Sequence, residues 1–253
     1  MDNSALSTAS PKWTEIEHLP EWDEEFYHVY TAKKHGKWLM LKTLRPELKG
    51  QEKYEKMIEK EFEVRYNLAH PHIIMINDFE EVPGLGMCII TDDVYGTSLR
   101  KAIDEGKLTE EMVRKLSVSL LDAIAYIQQN HIVHHPIRPE TVIFTQDINN
   151  MKIIDVGFDQ HEQLSPADIT EDLESYGRIL QEALDASGCQ SQRLRAVAQK
   201  CMNPRPGSRY RDTETVRNAL EGRSEKRLFI IIIAFLAVMV AILGWFCWRQ
   251  PVL

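Results

Sequence analysis

Residues 131–157 read HIVHHPIRPETVIFTQDINNMKIIDVG, a loop bearing histidines and prolines followed by two short strand-like runs, TVIF (141–144) and MKIID (151–155). Immediately upstream, Thr109–Asn130 places Met112, Leu116, Leu120, Ile124 and Ile127 at helical spacing, and Leu99–Glu105 is a shorter helical candidate. Downstream, Ile169–Leu220 reads as helix with loops at Gly188 and at Pro204–Gly207. Before Gly96 the pattern is that of strands. FYHVYTA (26–32) and KWLMLKTL (37–44) flank a Lys-His-Gly turn, and HIIMINDFEEV (72–82) and GMCIITDDV (86–94) are separated by Pro83 and Gly84. Between the two pairs, Gln51–Leu68 carries Met57, Ile58, Phe62, Val64 and Leu68 as a helical stripe in a Glu/Lys-rich segment. The pattern predicts an α+β fold: a small antiparallel β lobe with one helix, then a larger helical lobe.

The chain has 253 residues, with 30 Lys plus Arg against 38 Asp plus Glu and a formal net charge of −8. The acidic balance argues against nucleic acid as a partner, because such proteins carry a basic footprint. Cys88, Cys189, Cys201 and Cys247 are scattered without metal-ligand spacing, which suits a reducing compartment. His70 and His72, around Pro71, have no third ligand in sequence. Residues 1–20 are rich in Ser, Asn and Thr and read as a flexible N-terminal segment without a cleavable signal.

Leu228–Trp248 reads LFIIIIAFLAVMVAILGWFCW, without a charge. A helix of this length rises about 31 Å, the thickness of a bilayer's hydrocarbon core. Arg223, Lys226 and Arg227 precede it, while only Arg249 follows in the tail 249–253. That asymmetry predicts a single C-terminal membrane span at 228–248 with the preceding domain, 21–221, in the cytoplasm, joined by a basic linker at 222–227.

The order of elements and several motifs over residues 22–220 resemble the eukaryotic-type protein kinase fold, a bilobal architecture. In LMLK, Lys42 resembles the V-A-I-K lysine. Glu61, ten residues before Pro71 of AHPHII, falls where the family's helix glutamate pairs with that lysine. TDDVYGTSL (91–99) resembles the hinge, with Thr91 at the gatekeeper position. HIVHHPIRPETVIF (131–144) resembles the catalytic loop, KIIDVG (152–157) the metal-binding D-F-G strand, and DLESYGRIL (172–180) the helix whose buried aspartate braces that loop. Arg209, in CMNPRPGSRY, falls at the family's late structural arginine. The resemblance implies vestigial nucleotide-binding positions at Lys42, Glu61, Asp155, Val29, Met40, Thr91 and Ile143, and structural roles for His134, Asp172 and Arg209.

The same positions have lost chemistry. Pro136 replaces the catalytic-loop aspartate, and proline offers neither a side-chain acceptor nor an N–H. His135 stands beside it as the remaining candidate base, from a different backbone position. Thr141 replaces the asparagine that holds a second metal, which leaves Asp155 as a lone candidate Mg²⁺ ligand or a loop-bracing residue. Trp22, Glu24 and Tyr27 stand where three glycines let backbone amides approach phosphates, and Asp23, Glu24 and Glu25 add negative charge. Met40 replaces the alanine that packs on adenine. Only residues 158–171 separate Gly157 from Asp172, too few for the usual peptide platform and without its A-P-E glutamate, so Arg209 is expected to pair locally or face solvent. Lys42 and Glu61 are then either nucleotide-orienting or a structural ion pair.

The resulting expectation is a membrane-tethered pseudokinase that binds a protein partner at the cytosolic face, with no catalytic residues and no cofactor. The alternative is a divergent protein Ser/Thr kinase using ATP and Mg²⁺. The first reading expects Met40 and Tyr27 in the cleft and no adenine-sized cavity between Val29 and Ile143.

Overall fold

The computed structural model describes residues 12–94, 96–133, 137–145, 150–156, 159–222, 230, 232–240 and 242. Strand β1 (Trp13–His18) opens the fold and pairs antiparallel with β2 (Tyr27–Lys34). Over residues 13–20 this corrects the expectation of a flexible segment at 1–20, and residues 1–11 lie outside the described residues. Trp13 is buried against Ala32, Leu39 and Val82, and its indole N–H donates to Glu80 Oε1 at 3.1 Å. One large anchor holds a strand whose other side chains are mostly exposed.

Between β2 and β3 (Lys37–Leu44), His35 and Gly36 both adopt positive φ, 52° and 83°, the left-handed pair that a two-residue hairpin turn demands. Helix α1 (Glu52–Arg65) follows, then β4 (Ile76–Val82) and β5 (Gly86–Asp92). The strands form one antiparallel sheet in the order β1-β2-β3-β5-β4. Alternation along β3 sends Leu39 and Leu41 to a core with Trp13, Val82 and Ile90, and Met40 and Lys42 to the opposite face. Register sets Lys42 opposite Val29 and Ile89, and Met40 opposite Thr31 and Thr91. Helix α1 buries Ile58, Glu61 and Arg65, a single face at i, i+3 and i+7, against the Lys42 side of the sheet.

The larger lobe contains β6 (Gly96–Ser98), α2 (Leu99–Asp104), α3 (Glu110–Gln129), β7 (Ile132–Val133), β8 (Val142–Thr145), β9 (Met151–Ile153), β10 (Asp159–Gln160), α4 (Pro166–Ser187), α5 (Gln192–Cys201) and α6 (Thr213–Glu221). Its core joins α3 and α4, where Tyr176 is fully buried and donates its hydroxyl to Ser117 O at 2.7 Å. Gly177 lets α4 and α5 approach closely, since a Cβ there would lie 2.7 Å from the Cys201 Cβ. The lobes are stitched by the backbone around Ile73, with Ile153 N–H donating to His72 O and Ile74 N–H to Ile153 O, each at 2.9 Å.

Of the expected span 228–248, only 230, 232–240 and 242 are described, all helical, and their large apolar side chains are exposed. Among the described residues no helix is long and apolar enough to cross a membrane. The span as a whole, most of the 222–227 linker and the tail 249–253 lie outside the described residues.

Because Trp13 alone anchors β1, Trp13→Ala is expected to destabilise the domain by about 3 kcal/mol in urea unfolding. Ile16→Ala, at an exposed position of the same strand, should stay within about 0.5 kcal/mol. Equal, small effects of both would mean that β1 is detached from the sheet.

Candidate functional site

The Lys42 ammonium is the centre of the site. It lies 2.9 Å from Glu61 Oε1 and 2.5 Å from Glu24 Oε2, with the Tyr27 ring centroid at 4.2 Å. Glu61 is itself paired with Arg65 one helical turn along α1, and Arg65 Nη2 donates to Ile154 O at 3.2 Å. Two cations and two carboxylates therefore form one chain of charge from the sheet through α1 to the segment that carries Asp155. Burial alone would lower the lysine's pKa, but the Glu24 and Glu61 carboxylates outweigh it and raise it. Burial would raise Glu61, but Lys42 and Arg65 hold it below the usual carboxylate range. Glu24 is raised, because its burial outweighs the attraction of Lys42, and Asp155 and Glu61 add repulsion.

Beside this network, Val29, Met40, Ile74, Val94 and Ile143 form one buried apolar cluster, with Trp22 and Ile154 packed on it. Met40 thus packs in one cluster with Val29 and Ile143. Thr91 is buried, and its hydroxyl donates to Asp92 O at 3.2 Å. A cleft of about 490 Å³, lined by Trp22, Glu24, Gly96, Arg138, Thr141 and Ile154, opens outside that cluster. Tyr27 departs from the expectation that it lies in the cleft: its ring is buried between the sheet and α1, with Leu44, Ile58 and Ile89.

Thr141 is buried, and its hydroxyl donates to Arg138 O at 3.0 Å, which commits it to a local turn. The Asp155 carboxylate has Arg138 Nη2 at 3.7 Å. His134, His135 and Pro136, and with them the expected packing of His134 and the position of any base, lie outside the described residues. Asp172 is buried and accepts a hydrogen bond from Gln128 Nε2 at 2.7 Å. Next to it on α4, the Ser175 hydroxyl donates to Ile137 O at 3.3 Å, which ties the end of the loop to the helix. Arg209 pairs locally, with Glu174 Oε2 at 3.1 Å and with Asn203 O.

Three partners escaped the sequence reading. Arg65 sits in a Glu/Lys-rich helix that reads as a solvated face, although its i+4 spacing from Glu61 was a usable signal. Arg138 was legible as the one cation of the 131–144 loop. Glu174 lies two residues beyond Asp172, with nothing in sequence to join it to Arg209.

The chain matches the family described as "Protein kinase domain" over residues 25–172. It is similar to an Aurora kinase from Schizosaccharomyces pombe, 29% identical over 168 residues, which cover 61% of this chain and 46% of that protein. It is also similar to "Serine/threonine-protein kinase 36" from Pongo abelii, 29% identical over 114 residues, which cover 45% of this chain and 8% of that one. The chain thus spans less than half the length of either relative. Among solved structures, the PknI kinase domain of Mycobacterium tuberculosis superimposes with a TM-score of 0.61 at 19% identity, over 85% of this chain and 97% of that one. At that identity the likeness is one of fold, bilobal with an antiparallel sheet and a helical lobe.

Burial pushes the Asp172 carboxyl up to about 7, against the opposing hydrogen bond from Gln128. Between the ordinary carboxylate value and pH 7 the folded chain keeps a proton that the unfolded chain has released. Stability therefore falls as pH rises through this window, and the penalty is complete above about 7. Asp172→Asn, which keeps an acceptor for Gln128, is expected to match the parent near pH 4 and to exceed it by on the order of 3 kcal/mol at pH 8. A difference that does not vary with pH in denaturant melts would contradict the assignment.

Proposed function

The chain belongs to the protein kinase family, and from that premise we propose that it is a pseudokinase: a membrane-tethered kinase-fold domain that binds other proteins and does not transfer phosphate efficiently. The observation that carries this reading is the Glu24 carboxylate on the Lys42 ammonium at 2.5 Å. In the family that ammonium orients nucleotide phosphates. Here an internal anion takes the place of the external one, and the Met40 cluster takes the place of adenine. As placed, these residues do not fit ATP. The cleft a triphosphate would enter is lined by the acidic Glu21, Asp23, Glu24 and Glu140 as well as by Arg100, Lys101 and Arg138, and the Lys42 ammonium is already held by Glu24. Replacement of the catalytic-loop aspartate by Pro136 removes general-base assistance worth roughly 10²–10⁴ in rate.

A second reading, a divergent protein Ser/Thr kinase using ATP and Mg²⁺, is favoured by one specific observation. The Lys42–Glu61 pair at 2.9 Å and the carboxylate of Asp155 keep the arrangement that phosphotransfer uses. One of the named relatives is a serine/threonine-protein kinase and the other an Aurora kinase. This reading requires Glu24 to leave Lys42.

The uncharged run 228–248 with its basic N-terminal flank supports tethering, with the domain on the cytosolic side. Tethering raises the effective concentration of the domain for partners at that face. The net charge of −8 disfavours nucleic acid among those partners.

A melting series of the full chain in detergent with 1 mM ATP, with and without Mg²⁺ or Mn²⁺, is expected to shift the midpoint by less than about 2 °C. A larger, metal-dependent shift accompanied by phosphotransfer that Lys42→Met and Asp155→Ala each abolish would establish the kinase reading instead. For the tether, the full chain is expected to float with liposomes and a chain ending at Gly222 to remain in the soluble fraction. Flotation of both, or of neither, would remove the anchor from the account.

A further inference from the structure

His18, Asp23 and His28 are spaced by five residues each and bracket the Trp22–Glu24 segment. His18 closes β1 opposite Tyr30 of β2, and His28 lies two residues before Tyr30, so it faces the same side. The intervening 3₁₀ turn at Pro20–Trp22 carries Asp23 between the two rings. His18 Nε2 is 3.0 and 3.1 Å from the two Asp23 carboxylate oxygens, and His28 Nδ1 is 2.7 Å from Oδ2. The three candidate ligand atoms all lie within 4.8 Å of one another. The rings meet edge-on, at 78° with centroids 4.8 Å apart, so their nitrogens converge on the carboxylate rather than stacking away from it.

We propose that these three side chains form a binding site for a divalent transition metal of the Zn²⁺ class, completed by water. Two imidazoles and one carboxylate suit Zn²⁺ and are poor partners for Mg²⁺ or Ca²⁺, which take oxygen ligands. A tetrahedral ion with bonds of about 2.0–2.2 Å holds its ligand atoms a little over 3 Å apart. The Asp23–histidine contacts, at 2.7 and 3.0 Å, would open by a few tenths of an ångström, and the two ring nitrogens, within 4.8 Å of each other, would draw in around the ion. The surroundings hold the ligands in place. Asp23 Oδ1 accepts the Val29 backbone N–H at 3.0 Å, and the Tyr30 ring lies against the His18 ring at 4.9 Å. The side chains are 36%, 14% and 20% exposed for His18, Asp23 and His28, which leaves an approach for the ion and for a water ligand. This site stands whether or not the cleft binds nucleotide. Because Glu24 follows Asp23 directly, the ion would also fix the backbone that delivers Glu24 to Lys42.

The test is calorimetric titration of Zn²⁺ into the full chain, tag-free, in detergent micelles and stripped of metal. Visible absorption with Co²⁺ serves as the geometric readout. The expected result is one ion per chain, bound at micromolar affinity or tighter, and the intense absorption of a four-coordinate Co²⁺ site. Asp23→Asn, which retains an acceptor for Val29 N–H, and His28→Ala should each weaken binding by about tenfold or more. The double variant His70→Ala/His72→Ala should leave it unchanged. No saturable binding by the parent chain, or equal binding by Asp23→Asn and His28→Ala, would overturn the proposal and leave a hydrogen-bonded triad only.

Discussion

One lysine ammonium is claimed by two carboxylates of the same chain, and the rest of the site is arranged around that contest. Glu61 reaches Lys42 from α1, and Glu24 reaches it from the turn between β1 and β2. Arg65 balances the second carboxylate and ties α1 to the backbone of Ile154. Removing one member of such a buried set leaves an uncompensated charge, a loss of about 3–5 kcal/mol. The network therefore ties α1 to the larger lobe, and under the proposed reading Glu24 also takes the position of a phosphate. An incoming anion has to displace Glu24 before it gains Lys42, so its net attraction is the difference between two similar interactions.

The apolar half of the cleft follows the same logic with different forces. Period-two alternation along β3 places Met40 on the same face as Lys42, so under the proposed reading its side chain points at the position an adenine ring would take. Alanine there leaves a gap, and methionine fills it with a flexible, polarisable chain. Once Val29, Ile143 and Val94 have closed on it, opening the slot for a ligand means exposing apolar surface, at about 25 cal/mol per Å².

Most of this organisation was legible in the sequence because it is local. Hairpin turns, helical stripes and the order of motifs are short-range signals, and they located the sheet, α1, α3 and α4 within a few residues. β1 was not legible, since WTEIEH buries one residue and its Ser/Thr-rich neighbourhood reads as a tail. The negative charge of Glu24 was legible, but its destination was not, because a turn decides whether that charge repels a ligand or pairs with Lys42. Tyr27 was expected in the cleft and is found under α1, on the same sheet face as Val29 and Lys42 but displaced along the strands towards Leu44. Arg209 recovers a carboxylate from Glu174, a pairing made by α4 geometry rather than by sequence proximity. The triad of His18, Asp23 and His28 was invisible for the same reason: it exists only once two strands are in register.

The most direct test compares the affinity of a fluorescent ATP analogue for the parent chain with that for the Glu24→Ala/Met40→Ala double variant. The account predicts no saturable binding by the parent at millimolar nucleotide and a gain of at least tenfold in the variant, about 1.4 kcal/mol. Micromolar binding by the parent chain, or no gain on removing both side chains, would contradict it.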